Sequence, residues 1–291
     1  MTKEKMLKIW ANLSTIIIIG GFLTFITFLI KQGYSTLNTK LFFGTTPPID
    51  AILNNKPVWD GIWPALIGTT YLLALTMLIA LIPGIGSGIY LAKFATGKTK
   101  KALTTATELV AGVPSIVIGL FGFVLIIILK KTLLPQATTC LLLSAFCLAL
   151  LVIPSLIITT KNSIESLPTS LEQTGTALGL TEKQNLYHIL LPSVTPGILG
   201  GIMLATGRAI EDTAVIMLTG AVANAGLPAG LTAKYEALPF LIYYTAAQYI
   251  DETELAKGFG TTIILLILST TSLFIAWLLE RTMAKKWKGT K

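Results

Sequence analysis

The chain is punctuated by apolar runs long enough to cross a lipid bilayer, and nothing else in it limits the fold so severely. Crossing about 30 Å of hydrocarbon takes roughly 20 residues of helix. Leu13–Ile30, Leu109–Leu129 and Gly258–Leu279 are near that length and hold no charged residue. Ile62–Ala92 and Leu133–Thr160 are longer, and each contains a proline, Pro83 and Pro154. Val194–Leu218 is also a span, with Arg208, Glu211 and Asp212 inside it. A chain crossing lipid must satisfy its backbone internally, and runs of this length do so as helices. The expected fold class is all-α: a polytopic membrane protein with six transmembrane helices.

Composition agrees. Only 12% of the residues are charged, about half the share of a soluble domain, so lipid has to supply the missing solvating surface. The net charge of +8 does not indicate nucleic acid, because the basic residues form no single patch and cluster instead at the ends of apolar runs. Of the 22 Lys and Arg, Arg208 lies inside a span; the others divide fourteen to seven in favour of the side that carries Lys98, Lys100, Lys101 and the C-terminal tail. The positive-inside rule then places both termini in the cytoplasm, and the expected location is the cytoplasmic (inner) membrane. A seventh span would put the basic tail outside. Leu238–Ile250, at 13 residues, is too short to cross and suits an interfacial or re-entrant helix. The first run follows Lys3, Lys5 and Lys8 but is long for a leader and lacks a small-residue cleavage site, so it is expected to be a retained span.

Several chemistries are excluded. Cys140 and Cys147 lie seven residues apart in one apolar run, about 10 Å along a helix, too far for a disulfide. His188 is the only histidine, so neither a metal cluster nor a histidine-based triad is expected. Ala92–Thr99 (AKFATGKT) ends like a phosphate-binding loop, but Ala92 stands where the first glycine belongs and no strand precedes it. Lys98, Lys100 and Lys101 are read as the basic end of a span. No nucleotide site and no cofactor are expected, and this chain is not expected to be an enzyme.

The segment Lys161–Pro192 is too well made for an ordinary connection. Thr169 with Glu172 is a capping-box pattern preceded by Pro168, Gly179 can take the left-handed conformation that ends a helix, and Thr181 with Gln184 starts a second box. Two capped helices outside the membrane are predicted, with Leu171, Leu178, Leu186 and Ile189 free to pack. Either this loop folds back on its own bundle or it docks a cytoplasmic protein.

Here the residues resemble a known family. Gly179, nine residues, Ile189, one residue, and then Leu191-Pro192 match the loop motif of ABC importer permeases, in which Gln173, Thr174 and Gly175 stand where Glu-Ala-Ala is usual. Glu108–Gly122 (ELVAGVPSIVIGLFG) and Gly207–Gly220 (GRAIEDTAVIMLTG) resemble segments of phosphate-importer permeases, and the length suits the PstA-type subunit. The family commonly has a glycine where this chain has Glu211. The resemblance implies a MetI-like fold with an N-terminal helix and first external loop over residues 1–60 and a five-helix core over 61–291. It also implies docking of an ATPase on Thr169, Glu172, Gln173, Gly175, Gly179, Thr181, Leu191 and Pro192. The implied partners are a homologous permease subunit, a cytoplasmic ATPase dimer that hydrolyses ATP, and an external phosphate-binding protein.

The segment around Arg208 is informative without the resemblance. If the fifth span enters the membrane near Pro196, Arg208 lies about 18 Å in, near the midplane. Charge there is costly and normally faces protein or a water-filled cavity. Glu211 and Asp212 stand at i+3 and i+4, each within pairing reach. Ser193, Gly197, Gly201, Ala205 and Ala209 form a stripe of small residues that lets another helix come close. Two roles are open for Arg208: a structural ion pair, or a group on the substrate path, where a guanidinium fork matches two phosphate oxygens. Pro114 and Ser115, after Gly112 and Val113, free a backbone carbonyl that either kinks the third span or lines the path with Arg208, Glu211 and Asp212. Glu108 is expected at that span's solvated cytoplasmic end. The function so implied is import of inorganic phosphate by alternating access; the alternatives are a permease for sulfate or molybdate and a secondary anion transporter.

Overall fold

The computed structural model describes residues 3–287, apart from the side chains of Lys3, Glu172, Thr176 and residues 284–287. Lys288 and Lys291, which entered the charge count, lie outside the described residues. The helices are α1 (Lys3–Gly33), α2 (Thr39–Phe43), α3 (Pro48–Leu53), α4 (Trp63–Lys93), α5 (Gly97–Ala111), α6 (Ser115–Thr132), α7 (Leu141–Glu165), α8 (Thr169–Ala177), α9 (Glu182–Asn185), α10 (Leu191–Glu211), α11 (Thr213–Thr219), α12 (Leu238–Gln248) and α13 (Glu252–Trp287). Among the described residues the only extended pairing is an isolated bridge between Ala221 and Tyr235. Six helices are long and apolar enough to cross a membrane, and they fall on the six apolar runs. The 11-residue α12 is the short helix expected near Leu238.

The core is organised around α7, which is packed on several sides, and glycines set the closest approaches. A Cβ placed on Gly84 of α4 would stand 2.7 Å from Leu156 Cβ, and one on Gly88 would stand 2.6 Å from Thr160 Cβ. The offset is the same one turn on, so α4 and α7 run parallel. On another side, Gly197 presses on Ser163 and Gly201 on Thr159, so α10 runs antiparallel to α7. Ala205 and Ala209 continue the stripe into a cluster with Ala80, Ala149, Val152 and Leu156. The small-residue stripe is a helix-packing surface, as expected, and its partner is α7. By contrast α1 is peripheral, held on α13 by Gly33 and by the edge-to-face pair Phe28–Phe259 at 5.7 Å.

Four expectations need correction. The third span is not one helix from Leu109: α5 ends at Ala111 and α6 begins at Ser115, with Pro114 extended between them (φ −59°, ψ 138°). Pro114 cannot donate, and it disfavours helical backbone at Val113, so the helix stops rather than kinks. The fifth span is likewise broken at Asp212, which separates α10 from α11. The second helix of the loop is not separate from that span. From α9 the chain passes through a π turn at Leu186–Leu190 directly into α10, with the Leu191 N–H donating to the Leu186 carbonyl. Pro192 explains it: its ring crowds the carbonyl four residues back and it has no N–H to give, so one widened turn absorbs the mismatch. Finally, Cys140 is not within a helix; it is the extended residue before α7, while Cys147 lies in α7, and both thiols are free and buried.

Candidate functional site

The depth of Arg208 follows from the register of α10 on α7. Two turns beyond the Gly201–Thr159 contact, Arg208 comes level with Val152, which is roughly 17 Å from the Leu141 end of α7 and roughly 20 Å from its Glu165 end. The guanidinium therefore lies near the middle of the central helix. It is half-buried, on the edge of an α10 face that the rest of the chain leaves open. Gly200 has nothing within 4 Å, Leu204 is 66% exposed and Glu211 is exposed. The other sides of α10 are occupied: Thr206 donates to Met77 Sδ of α4 at 3.6 Å, and Gly207 abuts Leu273 of α13.

The expected pairing of Arg208 with Glu211 or Asp212 does not form among the described residues. Asp212 has left the helix (φ −77°, ψ 107°), so the i+4 geometry is lost, and its carboxylate accepts the Val215 N–H at 2.8 Å to cap α11. A short acidic side chain before a helix satisfies an orphan N–H and complements the dipole there. Arg208 forms no ion pair with any described residue.

The two segments singled out in the sequence meet in space. A Cβ on Gly119 of α6 would lie 3.1 Å from the Ala214 carbonyl oxygen and 3.2 Å from Val215 Cα, and one on Gly122 would lie 2.7 Å from Thr219 Cγ2. Helices α6 and α11 therefore run side by side in the same direction. One turn back, Ser115 stands level with Glu211 and Asp212, so both helices begin at the same depth. Pro114, Ser115, Asp212 and Arg208 thus share one level of the bundle. The glycines that bring α6 onto α11 were not anticipated; their signal was a pair of glycines three apart in an apolar run. Glu108 is exposed, but it does not stand where a span begins: it lies eleven residues into α5, whose start is tied to α7 by Lys100–Glu165 at 2.6 Å.

The loop both folds back and leaves a free surface. Thr181 and Gln184 form the predicted capping box, with the Gln184 N–H donating to Thr181 Oγ1 at 3.3 Å and the Thr181 N–H to Gln184 Oε1 at 2.9 Å. Gly179 takes φ +72°, and the Leu180 N–H donates to the Gly175 carbonyl at 3.0 Å, closing the end of α8. Helix α8 starts at Thr169 itself, so Thr169 is its first residue and not the residue before it; the Glu172 side chain lies outside the described residues. The Asn185 side chain fills the space a Cβ on Gly175 would need, which gives a packing reason for glycine where alanine is usual. Leu186 and Leu190 are buried, whereas Leu178 is 69% and Tyr187 66% exposed, and Gln173 is exposed as well. Leu191 and Pro192 are half-buried where α10 begins.

Away from the spans, Glu236 is buried beneath the segment that follows α11. Burial pushes its carboxyl above the usual carboxylate range, offset in part by the N–H groups of Gly226 and Ala225. The Gly226 bond is 2.8 Å, so Glu236 fixes the turn that carries Asn224 and Gly226 at positive φ.

Comparison with known proteins agrees with this architecture. Residues 84–285 match the family described as binding-protein-dependent transport system inner membrane component. The phosphate transport system permease protein PstA of Haemophilus influenzae is 32% identical over 90% of this chain and 89% of its own length. PstA 2 of Mycobacterium bovis is 29% identical over 78% of this chain and 74% of its own. Among solved structures, an inward-facing MetNI methionine ABC transporter superposes with TM-score 0.58 at 17% identity, covering 77% of this chain and 98% of that one. A bacterial ABC transporter involved in import of the acidic polysaccharide alginate gives TM-score 0.58 at 14% identity, over 96% and 100%. With six helices able to cross a membrane, two of the segments between residues 108 and 220 meeting at one depth, and the family match over most of its length, the chain belongs to the inner membrane permease components of binding-protein-dependent ABC importers.

Proposed function

We propose that this chain is the pore-forming permease subunit of an ATP-driven importer of inorganic phosphate, with both termini in the cytoplasm. The observation that carries the proposal is Arg208, held near mid-depth without an ion pair among the described residues and on the edge of a face its own subunit leaves open. The names of the relatives, phosphate transport system permease proteins, support phosphate over other oxyanions. The open face would meet a homologous permease subunit, and substrate would pass between the two. A guanidinium stays charged and offers a planar fork to two oxygens. Asp212, engaged as a cap, does not compete for it. Interrupted helices near the midplane are where transporters commonly place substrate, because unwound backbone is tolerated only beside a cavity; this supports Pro114, Ser115, Glu211 and Asp212 as its surroundings.

In this proposal residues 1–60 form an accessory span with the first external loop, and residues 61–291 form the permease core. ATP is hydrolysed by a cytoplasmic ATPase dimer docked on Thr169–Pro192, and an external phosphate-binding protein delivers the ion. The subunit performs no covalent chemistry. Substrate biases the transport cycle only through its different affinity for the two access states.

Three experiments follow. Uptake by cells expressing the system should be competed by phosphate and arsenate and not by sulfate or molybdate; competition by sulfate or molybdate alone reassigns the substrate. Cysteines introduced at Thr46 and Asn224 should react with an impermeant reagent from outside, and one at Ser170 only after permeabilisation. Labelling of the Ser170 site in intact cells overturns the orientation. Gly179→Val forces a β-branched residue toward positive φ, which it strongly resists. The variant should insert normally yet lose at least tenfold of the ATPase that copurifies; normal copurification together with normal transport removes the loop from the docking site.

A further inference from the structure

At the ends of α6 and α7 remote from the proposed docking loop lies a predominantly apolar cavity of about 870 Å³. Its walls are Ile126 and Leu129 of α6, Leu142 and Phe146 of α7, and Leu134 in the connection between them. Polar groups, Gln136, Thr138 and Thr232, occur in the connection and in the segment after α11. Cavities of roughly 300–1,000 Å³ are the size that holds an organic ligand, and this one is too apolar to hold a bare ion.

No charged residue lines the cavity, and the three charged residues that adjoin its walls most closely in the sequence are lysines. Lys130 stands one turn beyond Ile126 on the same face of α6, with Lys131 beside it. Lys234 stands two residues beyond Thr232. Its segment is fastened to the start of α7 by the Leu142 N–H donating to the Leu231 carbonyl at 2.8 Å and the Leu141 N–H to the Ala233 carbonyl at 3.0 Å. All three lysines are exposed, and none forms an ion pair with a described residue. No Asp or Glu occurs from 109 to 164 or from 213 to 235; the nearest acid, Glu236, is buried and its carboxylate accepts the Gly226 N–H at 2.8 Å. Basic residues beside a gap between transmembrane helices select anionic headgroups.

We propose that this groove binds an anionic phospholipid of the leaflet opposite the docking loop, one acyl chain against Ile126, Leu129 and Phe146 and the phosphate on Lys130, Lys131 and Lys234. The apolar walls take the chain and the lysine rim takes the headgroup, a combination that neither a free anion nor a zwitterionic lipid satisfies as well. The rim also accounts for a pair of adjacent lysines on the side of the membrane where the positive-inside rule makes them scarce. The site is separate from the substrate path and does not depend on which oxyanion is carried.

The test uses the chain extracted from membranes with its copurifying subunits, and native mass spectrometry of the lipid it retains. The wild-type protein should keep about one anionic phospholipid per copy, and after delipidation should regain it from phosphatidylglycerol and not from phosphatidylcholine. Lys130→Gln combined with Lys131→Gln and Lys234→Gln should lower retention at least fivefold with assembly unchanged, since all three side chains are exposed. Ala137→Trp, which fills the groove and leaves the lysines in place, should lower it as well. A photoreactive phenylalanine at Phe146 should cross-link to lipid. Retention that is absent in the wild type, unchanged in both variants, or equal for phosphatidylcholine overturns the proposal. So does cross-linking of position 146 to a second protein subunit, which would make the groove a subunit interface.

Discussion

Arg208→Gln should leave the transporter assembled and hydrolysing ATP while reducing phosphate uptake by at least a hundredfold. Gln keeps much of the side chain's length and a hydrogen-bonding end but loses the charge and the fork. The structure sharpens the outcome, because Arg208 has no ion pair among the described residues. Breaking a buried pair typically costs about 3–5 kcal/mol, whereas removing an unpaired, half-buried charge should leave thermal stability nearly unchanged. Adding Glu211→Gln and Asp212→Asn tests the same point from the other side. Asn remains a good residue before a helix, so α11 keeps its cap and the triple variant should stay folded and inactive. Thermal unfolding of the purified complex and phosphate uptake should be measured together. Uptake restored in the triple variant would end the substrate-path role of Arg208.

The largest effect on folding is expected at Gly201. Its Cα faces Thr159 of α7 with no room for a side chain, so Gly201→Leu must push apart the two helices that carry the buried cluster of Ala205, Ala209, Val152 and Leu156. Overpacking a tight core contact typically costs about 1–3 kcal/mol and at times more, and here the obstacle reaches the core of the bundle. The variant should be recovered poorly from membranes and unfold at a clearly lower temperature. Gly86→Leu is the control, because nothing lies within 4 Å of Gly86 and the substitution improves helix propensity. Equal recovery and equal unfolding temperatures for the two variants would refute close α7–α10 packing as the support of Arg208.

The spans could be read from the sequence because burial in lipid demands long apolar runs, and six such runs are plain. What hydropathy misses is where the backbone stops being helical inside a run. Val113-Pro114 contained the information: proline lacks a donor and restrains its predecessor, which favours a break over a kink. Asp212 was harder. Four residues after Arg208 it has the spacing of an ion-pair partner, and three residues before Val215 it has the spacing of a cap; only the fold decides between them. The loop over residues 161–192 was legible at Gly179 and at Thr181–Gln184 because capping is local chemistry. Its second helix was not, since Pro192 looks like a terminator and the π turn that carries the chain past it leaves little trace in the sequence. Gly175 was marked as a departure from the family motif, but the reason, Asn185 ten residues on, is a tertiary contact. For Arg208, type and depth could be inferred from spacing, while the face it occupies required the packing of α10 against three neighbours.

The shared level at which α6 and α11 begin also has a mechanical consequence. Each of these helices is a rod attached at one end by a short non-helical joint, residues 112–114 before α6 and Asp212 before α11, and the glycine contacts at Gly119 and Gly122 hold the two rods together. A rod the length of α6 spans about 27 Å. A tilt of about 10° about Val113–Pro114 therefore carries its far end through about 5 Å, the scale on which a passage for a small anion opens or shuts. The same tilt displaces atoms close to the break by only a fraction of an ångström. Arg208, at the level of the break, would sit near the fulcrum, so that in the binding role proposed for it the side chain could hold its position while the half of the bundle beyond the break moves around it.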